Sequence, residues 1–81
     1  MTEPTADTFK NSKYKVPNLE RALVIMEYLI SCPEGKTGTE LTDALNYSKN
    51  SIFRITMTLL DHGYLVRDEK KRFRLSKKLL L

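Results

Sequence analysis

The pattern of apolar and polar positions along the chain predicts three helices followed by two short strands. Apolar residues recur at helical spacing from Leu19 to Ile30, and capped stretches that begin at Thr37 and Ser48 predict two further helices. Only about three or four residues separate the second helix from the third, which is the spacing of a helix-turn-helix. After Gly63 the pattern changes to the alternation that is typical of a β-hairpin.

We expect the hairpin to lie beside the third helix as a wing. The fold class is therefore mainly α with a small β-hairpin, a winged helix-turn-helix of three helices and a two-stranded wing. The strands are predicted at residues 65–68 and 72–75, with the turn at residues 68–71. Residues 1–12 are expected to form a flexible tail, residues 13–75 the domain, and residues 76–81 the start of a further helix.

The helix ends are predicted from capping residues. The segment Thr37–Glu40 has the spacing of a capping box, and Asn46 suits the left-handed conformation that ends a helix. Ser48 is the expected N-cap of the third helix, and Asn18 is the expected N-cap of the first.

The first helix carries two apolar faces. One is expected to enter the core, and the other needs a cover, because a contiguous exposed apolar patch marks a contact surface. A dimer contact is favoured over packing against the N-terminal arm, since two-fold binding to palindromic sites is common among helix-turn-helix proteins. The predicted core face comprises Leu19, Ala22, Leu23, Met26, Leu29 and Ile30, and the predicted dimer contacts are Val24, Ile25 and Tyr28.

The outer face of the third helix has the side chains that recognise bases. At about 100° per residue, Asn50, Phe53, Arg54 and Met57 fall opposite the core residues. Asn and Arg side chains can each make two hydrogen bonds to adenine or guanine edges. The alternative is a solvated Arg54 and a Phe53 that packs under the wing. The predicted base contacts are Lys49, Asn50, Phe53 and Arg54.

Positive charge is concentrated in the same part of the chain. Residues 48–81 hold nine Lys and Arg against three Asp and Glu, a net charge of +6, whereas residues 1–12 and 13–47 each carry −1. Such a basic segment is typical of a polyanion partner, nucleic acid or an anionic membrane surface, with solvation alone as the alternative. With nucleic acid as the partner, we expect the third helix, about residues 48–62, in the DNA major groove and the basic wing, residues 67–74, on the phosphate backbone. The predicted phosphate contacts are Thr37, Thr39, Ser48, Ser51, Lys70, Lys71 and Arg72.

The composition excludes several other classes of protein. The chain has 81 residues, and its single Cys and single His exclude an internal disulfide and metal sites built from several such ligands. No general acid–base set is evident, so we expect no enzyme, cofactor or metal. No apolar run reaches the roughly 18–20 residues of a membrane span, and the chain does not begin with a secretory signal. We therefore expect a cytoplasmic protein.

Two interpretations stay open beside these. Phe53 and Met57 on an outer face also suit a winged helix that binds protein, and such a protein–protein interaction module is the alternative function. Tyr14 between Lys13 and Lys15 is either an arm for an adjacent minor groove or a disordered basic segment.

A series of short motifs follows along residues 15–80. They are Val16-Pro-Asn-Leu-Glu-Arg-Ala-Leu23, Pro33-Glu-Gly35, Thr39-Glu-Leu41, Ser48-Lys-Asn-Ser-Ile-Phe-Arg54, Leu59-Leu60, Gly63-Tyr-Leu65 and Phe73-Arg-Leu75. In this order and at these spacings the set resembles the N-terminal DNA-binding domain of IclR-family bacterial transcription regulators.

The resemblance implies a repressor or activator that binds double-stranded operator DNA as a homodimer, with residues 48–54 leading the recognition helix. It also implies a small-molecule effector on a further C-terminal domain, joined through a linker helix that starts near Ser76. Because Leu79–Leu81 would be an apolar ending, we expect a truncated chain. The sequence departs from the family at Asn46, where Gly is usual, and at the wing turn, residues 68–71, which lacks the usual Gly.

Overall fold

The described part of the chain covers residues 14–80 of a computed structural model, with the side chains of residues 79 and 80 excepted. The tail expected at residues 1–12, Lys13 of the basic arm, and Leu81 lie outside the described residues.

The first helix, α1, spans Pro17–Ile30. The prediction of Asn18 as its N-cap is wrong, because Val16 occupies that position in an extended conformation. Pro17 begins the helix, where its fixed φ and its missing N–H are both compatible with the first turn. The Asn18 side chain instead accepts a hydrogen bond from the Arg21 guanidinium at 3.0 Å.

The predicted core face of α1 is only partly correct. Leu29 is buried and Ala22 and Met26 pack against the core, as predicted. Ile25 is 0% exposed, whereas Leu19, Leu23 and Ile30 of the predicted core face are 57%, 47% and 68% exposed. The buried face is thus displaced around the helix by less than one residue position, that is by less than about 100°, relative to the prediction. Apolar residues surround most of α1, so their spacing alone does not determine which side faces the core.

Helices α2, Gly38–Leu45, and α3, Lys49–Asp61, form the helix-turn-helix. The predicted capping box is confirmed, because the Thr37 hydroxyl accepts from the Glu40 N–H and the Glu40 carboxylate accepts from the Thr37 N–H. Asn46 has a φ of 58° and a ψ of 36°, the predicted left-handed conformation. It lets the chain turn within residues 46–48 before α3 begins.

The wing belongs to a three-stranded antiparallel sheet. Strands β2, Leu65–Arg67, and β3, Arg72–Leu75, form the predicted hairpin. The structure adds β1, Lys36–Thr37, which pairs with the other edge of β3. Two residues are too few to show alternation, so β1 leaves no signal in the sequence. The strand connects the wing directly to the N-cap of α2.

Gly35 allows β1 to approach β3. Its φ is 89°, and a Cβ at this position would lie 3.0 Å from the carbonyl oxygen of Phe73. Any other residue would therefore combine backbone strain with a clash.

The core lies between the three helices and the inner face of the sheet. Burial of each large apolar side chain contributes about 1.5–3 kcal/mol to the free energy of unfolding. The hydroxyl of Thr56, which is also buried, donates to the Ile52 carbonyl at 2.7 Å and is thereby satisfied. The buried apolar cluster comprises Ile25, Leu29, Leu41, Ile52, Ile55, Leu59, Leu65 and Phe73.

The segment after β3 is hydrogen-bonded to the C-terminal end of α3. The Ser76 hydroxyl donates to the Gly63 carbonyl at 2.6 Å, and the Lys78 ammonium donates to the His62 carbonyl at 2.8 Å. The predicted final helix is present as a short 3₁₀ helix, Lys77–Leu80. Its position is thus coupled to the last turn of α3.

Candidate nucleic-acid interface

The N-terminus of α3 is suited to an anion. The Ser48 hydroxyl accepts from the Ser51 N–H at 3.1 Å and donates to the Ser51 hydroxyl at 3.1 Å, so both predicted phosphate contacts belong to one cap. The first N–H groups of a helix lack acceptors within it, and the helix dipole adds partial positive charge there. Lys49 follows immediately and is exposed. These features favour a phosphate group at this end of α3.

The four predicted base contacts share the exposed face of α3. Lys49, Asn50, Phe53 and Arg54 are all exposed, and Phe53 is 62% exposed. The alternative in which Phe53 packs under the wing is therefore wrong. An apolar ring of this size in solvent indicates a contact surface, because Phe side chains are usually buried in a folded domain.

A groove joins this face of α3 to the wing and to the start of α2. Its volume is about 300 Å³, and side chains from α2, α3 and the sheet line it. The structure thus brings together the predicted contacts Thr39, Lys49 and Phe53, which are separated in the sequence. The groove is lined by Gly38, Thr39, Thr42, Lys49, Ile52, Phe53, Thr56, Met57, Arg67 and Phe73.

Arg67 also belongs to this surface; it lies within the predicted basic wing, residues 67–74, but was not among the individually predicted contacts. It is exposed on β2, and its guanidinium lies over the ring of Phe73, 5.0 Å from the ring centroid. Strand alternation was the available signal, because Arg67 is two residues after the buried Leu65 and therefore on the same side of the sheet. That side faces α3, so the Arg67 charge is held beside the predicted base contacts.

The wing turn is organised by one carboxylate. Asp68 Oδ1 accepts from the N–H groups of Lys70 and Arg72, each at 2.9 Å, and Asp68 Oδ2 pairs with Arg72 Nε at 3.1 Å. The hydrogen bond from the Arg72 N–H lowers the pKa of Asp68 from its ordinary value of 3.8, and burial opposes it. Lys71 has a φ of 64°, the left-handed conformation that glycine would otherwise supply.

The predicted phosphate contacts on the wing differ in how they are held. Lys70 and Lys71 are exposed, whereas the Arg72 side chain is 34% exposed and bound to Asp68 through Nε. Arg72 is therefore partly committed to the turn, while the two lysines extend into solvent.

The N-terminus of α2 lies at the other side of the groove. Thr39 is exposed there, and the Thr37 hydroxyl caps the helix. The pKa of Glu40 is lowered from 4.5, chiefly because its carboxylate accepts the Thr37 N–H. The capping box thus fixes the backbone at which both predicted phosphate contacts of α2 lie.

One predicted dimer contact is wrong. Ile25 is fully buried in the core, so it cannot meet a second copy, and Val24 and Tyr28 are half-buried. The exposed apolar residues of α1 lie on another face, which we call the α1 stripe. It comprises Val16 before the helix and Leu19, Leu23 and Ile30 within it.

Two other features are absent from residues 14–80. This part of the chain contains no group of three or more His, Cys, Asp or Glu side chains that could hold a metal ion. None of its helices combines the length and the hydropathy that a membrane span requires.

Comparison with known proteins identifies one family. The family model described as the IclR helix-turn-helix domain matches residues 18–69, which is more than half of the chain and includes α1 from its second residue, α2, α3 and the start of the wing. Neither the curated proteins nor the solved structures yielded a match.

Proposed function

Because this chain belongs to the family of IclR helix-turn-helix domains, the DNA-binding parts of transcription regulators, we propose that it reads an operator sequence with α3 in the major groove. In this proposal the wing contacts the phosphate backbone, and two copies occupy the two halves of the site.

One observation carries the proposal: the exposed face of α3 adjoins a cationic wing across a single groove. Phe53 in this groove can contact a thymine methyl group. Asn50 and Arg54 are exposed on α3 outside the groove lining, Arg54 on the side toward α1, and can read adenine and guanine edges. Arg67 closes the other side of the groove. Groups that distinguish bases thus stand next to groups that attract phosphates, the combination that sequence-specific DNA binding needs.

Phosphate contacts are proposed at three places around the groove. The start of α3 offers its cap and its outward N–H groups, the start of α2 offers Thr37 and Thr39, and the wing offers Lys70 and Lys71. These contacts fix the orientation of α3 on the duplex without selecting a sequence. Arg72 joins them only through the part of its guanidinium that Asp68 does not occupy.

The α1 stripe is the proposed dimer contact. Leu19, Leu23 and Ile30 recur at intervals that place them on one side of α1. A two-fold axis would pair this stripe with its own copy, because a symmetric dimer uses the same patch on both subunits. Such a pair would place two recognition helices on successive half-sites.

A titration of duplex DNA at two salt concentrations tests the proposal. Affinity should fall steeply as salt rises, because bound phosphates release counterions. A selected operator should bind at least about a thousandfold more tightly than random duplex. Absence of binding to any duplex at low salt would reject DNA binding.

The exposed Phe53 also supports the alternative, a protein-interaction module. Partner binding would then depend on Phe53 and Met57 and hardly on Arg54. The pair Phe53→Ala and Arg54→Ala separates the two functions. A loss of DNA affinity in Arg54→Ala supports operator reading, whereas a DNA affinity unchanged in both variants supports the interaction module.

A further inference from the structure

The wing turn contains two neighbouring carboxylates that differ in exposure and in hydrogen bonding. Glu69 is exposed, and no hydrogen bond or ion pair to it is found among residues 14–80. The Asp68 side chain is only 15% exposed and binds the N–H groups of Lys70 and Arg72 together with the Arg72 guanidinium. The two acids therefore carry the same charge near the same surface but differ in every contact.

The Asp68 contacts close the turn around the two exposed lysines. The Asp68 N–H donates to the Arg72 carbonyl at 3.0 Å, and the Lys71 N–H donates to the Asp68 carbonyl at 2.9 Å. Lys71 sits in the left-handed conformation within this ring of hydrogen bonds. Lys71 thus stands where such turns commonly have glycine, and the Asp68 carboxylate stabilises the turn that contains this strained backbone.

We propose that Asp68 is a positioning residue for DNA binding, whose carboxylate holds Lys70 and Lys71 toward the phosphate backbone. This inference rests on the proposed function. A lysine on a loose turn loses backbone and side-chain freedom when it meets a phosphate, and a turn that is already ordered avoids the backbone part of that loss. The same carboxylate pairs with the Arg72 side chain at the base of the turn, so the exposed cations at the tip are Lys70 and Lys71.

The proposal contradicts the expectation from charge alone. Removal of a negative charge beside a polyanion should strengthen binding, and this should hold equally for Asp68 and Glu69. If Asp68 organises the turn, its removal weakens binding instead. The two acids are therefore a matched pair within one turn.

The experiment compares Asp68→Ala, Asp68→Asn, Glu69→Ala and the unaltered chain on one duplex at several salt concentrations. We expect Glu69→Ala to bind as tightly as the unaltered chain or a few-fold more tightly. Asp68→Ala should bind roughly tenfold more weakly and lose about one to two units of the salt slope, since each lost phosphate contact removes about one. Asp68→Asn keeps an oxygen for both backbone N–H groups and should bind with intermediate affinity.

The outcomes separate this inference from the proposed function. Failure of the unaltered chain to bind DNA rejects the function itself. If the unaltered chain binds and Asp68→Ala matches Glu69→Ala in affinity and salt slope, the inference is overturned while DNA binding stands. Weaker DNA binding by Asp68→Ala with an unchanged salt slope also overturns the inference, because the phosphate contacts would then be intact. Thermal unfolding should remain a single cooperative transition in all four proteins, since the turn lies outside the buried core.

Discussion

Arg67 and Phe73 are direct partners across the β2–β3 pair, and the Arg67 guanidinium lies 5.0 Å from the centre of the Phe73 ring. Phe73 is 2% exposed, and the guanidinium lies over one face of its ring. At an exposed site such a contact is worth about 0.5–1 kcal/mol. Its larger effect is to fix a positive charge beside α3.

Arg67→Ala should therefore weaken DNA binding on every sequence and lower the salt slope by about one, the signature of a lost phosphate contact. The control is Arg74→Ala, because Arg74 pairs with Val66 and lies near Ile30 on the other side of the sheet. Mobility-shift titrations at several salt concentrations measure both. Equal losses in the two variants would show that only net charge matters.

Arg54→Ala should cost roughly 1–3 kcal/mol of binding free energy and relax the preference at one base pair. The physical reason is that a guanidinium on the exposed face of α3 can make two hydrogen bonds to a guanine edge. Competition among duplexes with single base-pair changes measures the preference. Lys70→Ala serves as the comparison, with a loss that is uniform across sequences. A uniform loss in Arg54→Ala would assign Arg54 to the phosphate backbone.

Leu23→Glu should abolish cooperative binding to a duplex with two half-sites and leave binding to one half-site unchanged. Leu23 is 47% exposed in the α1 stripe, so a carboxylate there is tolerated in the monomer but not against a second copy. Ile25→Val is the control, because it removes only a core methylene and should cost about 0.5–1.5 kcal/mol of stability. Cooperativity that survives Leu23→Glu would exclude the stripe as the dimer contact.

The capping box of α2 makes the stability of the fold depend on pH. The pKa of Glu40 is lowered in the folded state, so its carboxylate stabilises the fold above its ordinary value of 4.5, and this contribution disappears as the pH falls through the lowered value. Glu40→Gln can still accept the Thr37 N–H but does not titrate. The difference in melting temperature between the two proteins should therefore shrink from pH 7 toward pH 3. A constant difference would show that the charge of Glu40 has no part in the cap.

Thr37→Ala removes the other half of the same box. It should lower the free energy of unfolding by about 0.5–2 kcal/mol, the usual cost of losing an N-cap. Chemical denaturation measures this change, and Thr39→Ala is the matched control because Thr39 is exposed in the first turn and makes no cap contact within the described residues. Equal destabilisation in the two variants would contradict the cap.

The features that could be read from the sequence were local ones. The capping box, the left-handed Asn46 and the N-cap Ser48 depend on residues within one turn of each other, so their types and spacing determine them. The helical spacing of polar and apolar residues predicted the exposed face of α3. The family model and the fold agree with the winged helix-turn-helix that these elements predicted.

The features that escaped prediction depend on contacts between distant segments. The orientation of α1 is set by packing against α3 and the sheet, which is why Ile25 was assigned to the surface and Leu23 to the core. Strand β1 forms by pairing with β3, which is more than 30 residues later in the chain. The bond between Asp68 and Arg72 requires the closed turn, and the sequence presented both residues only as charges.

The left-handed backbone of Lys71 sets an engineering trade-off between stability and binding. A residue with a side chain costs about 1–3 kcal/mol in this conformation, a cost that glycine avoids. Lys71→Gly should therefore raise the melting temperature while it weakens DNA binding through the lost ammonium group. Selection of variants for thermal stability alone would therefore favour glycine at position 71. Selection that also requires DNA affinity would keep lysine there.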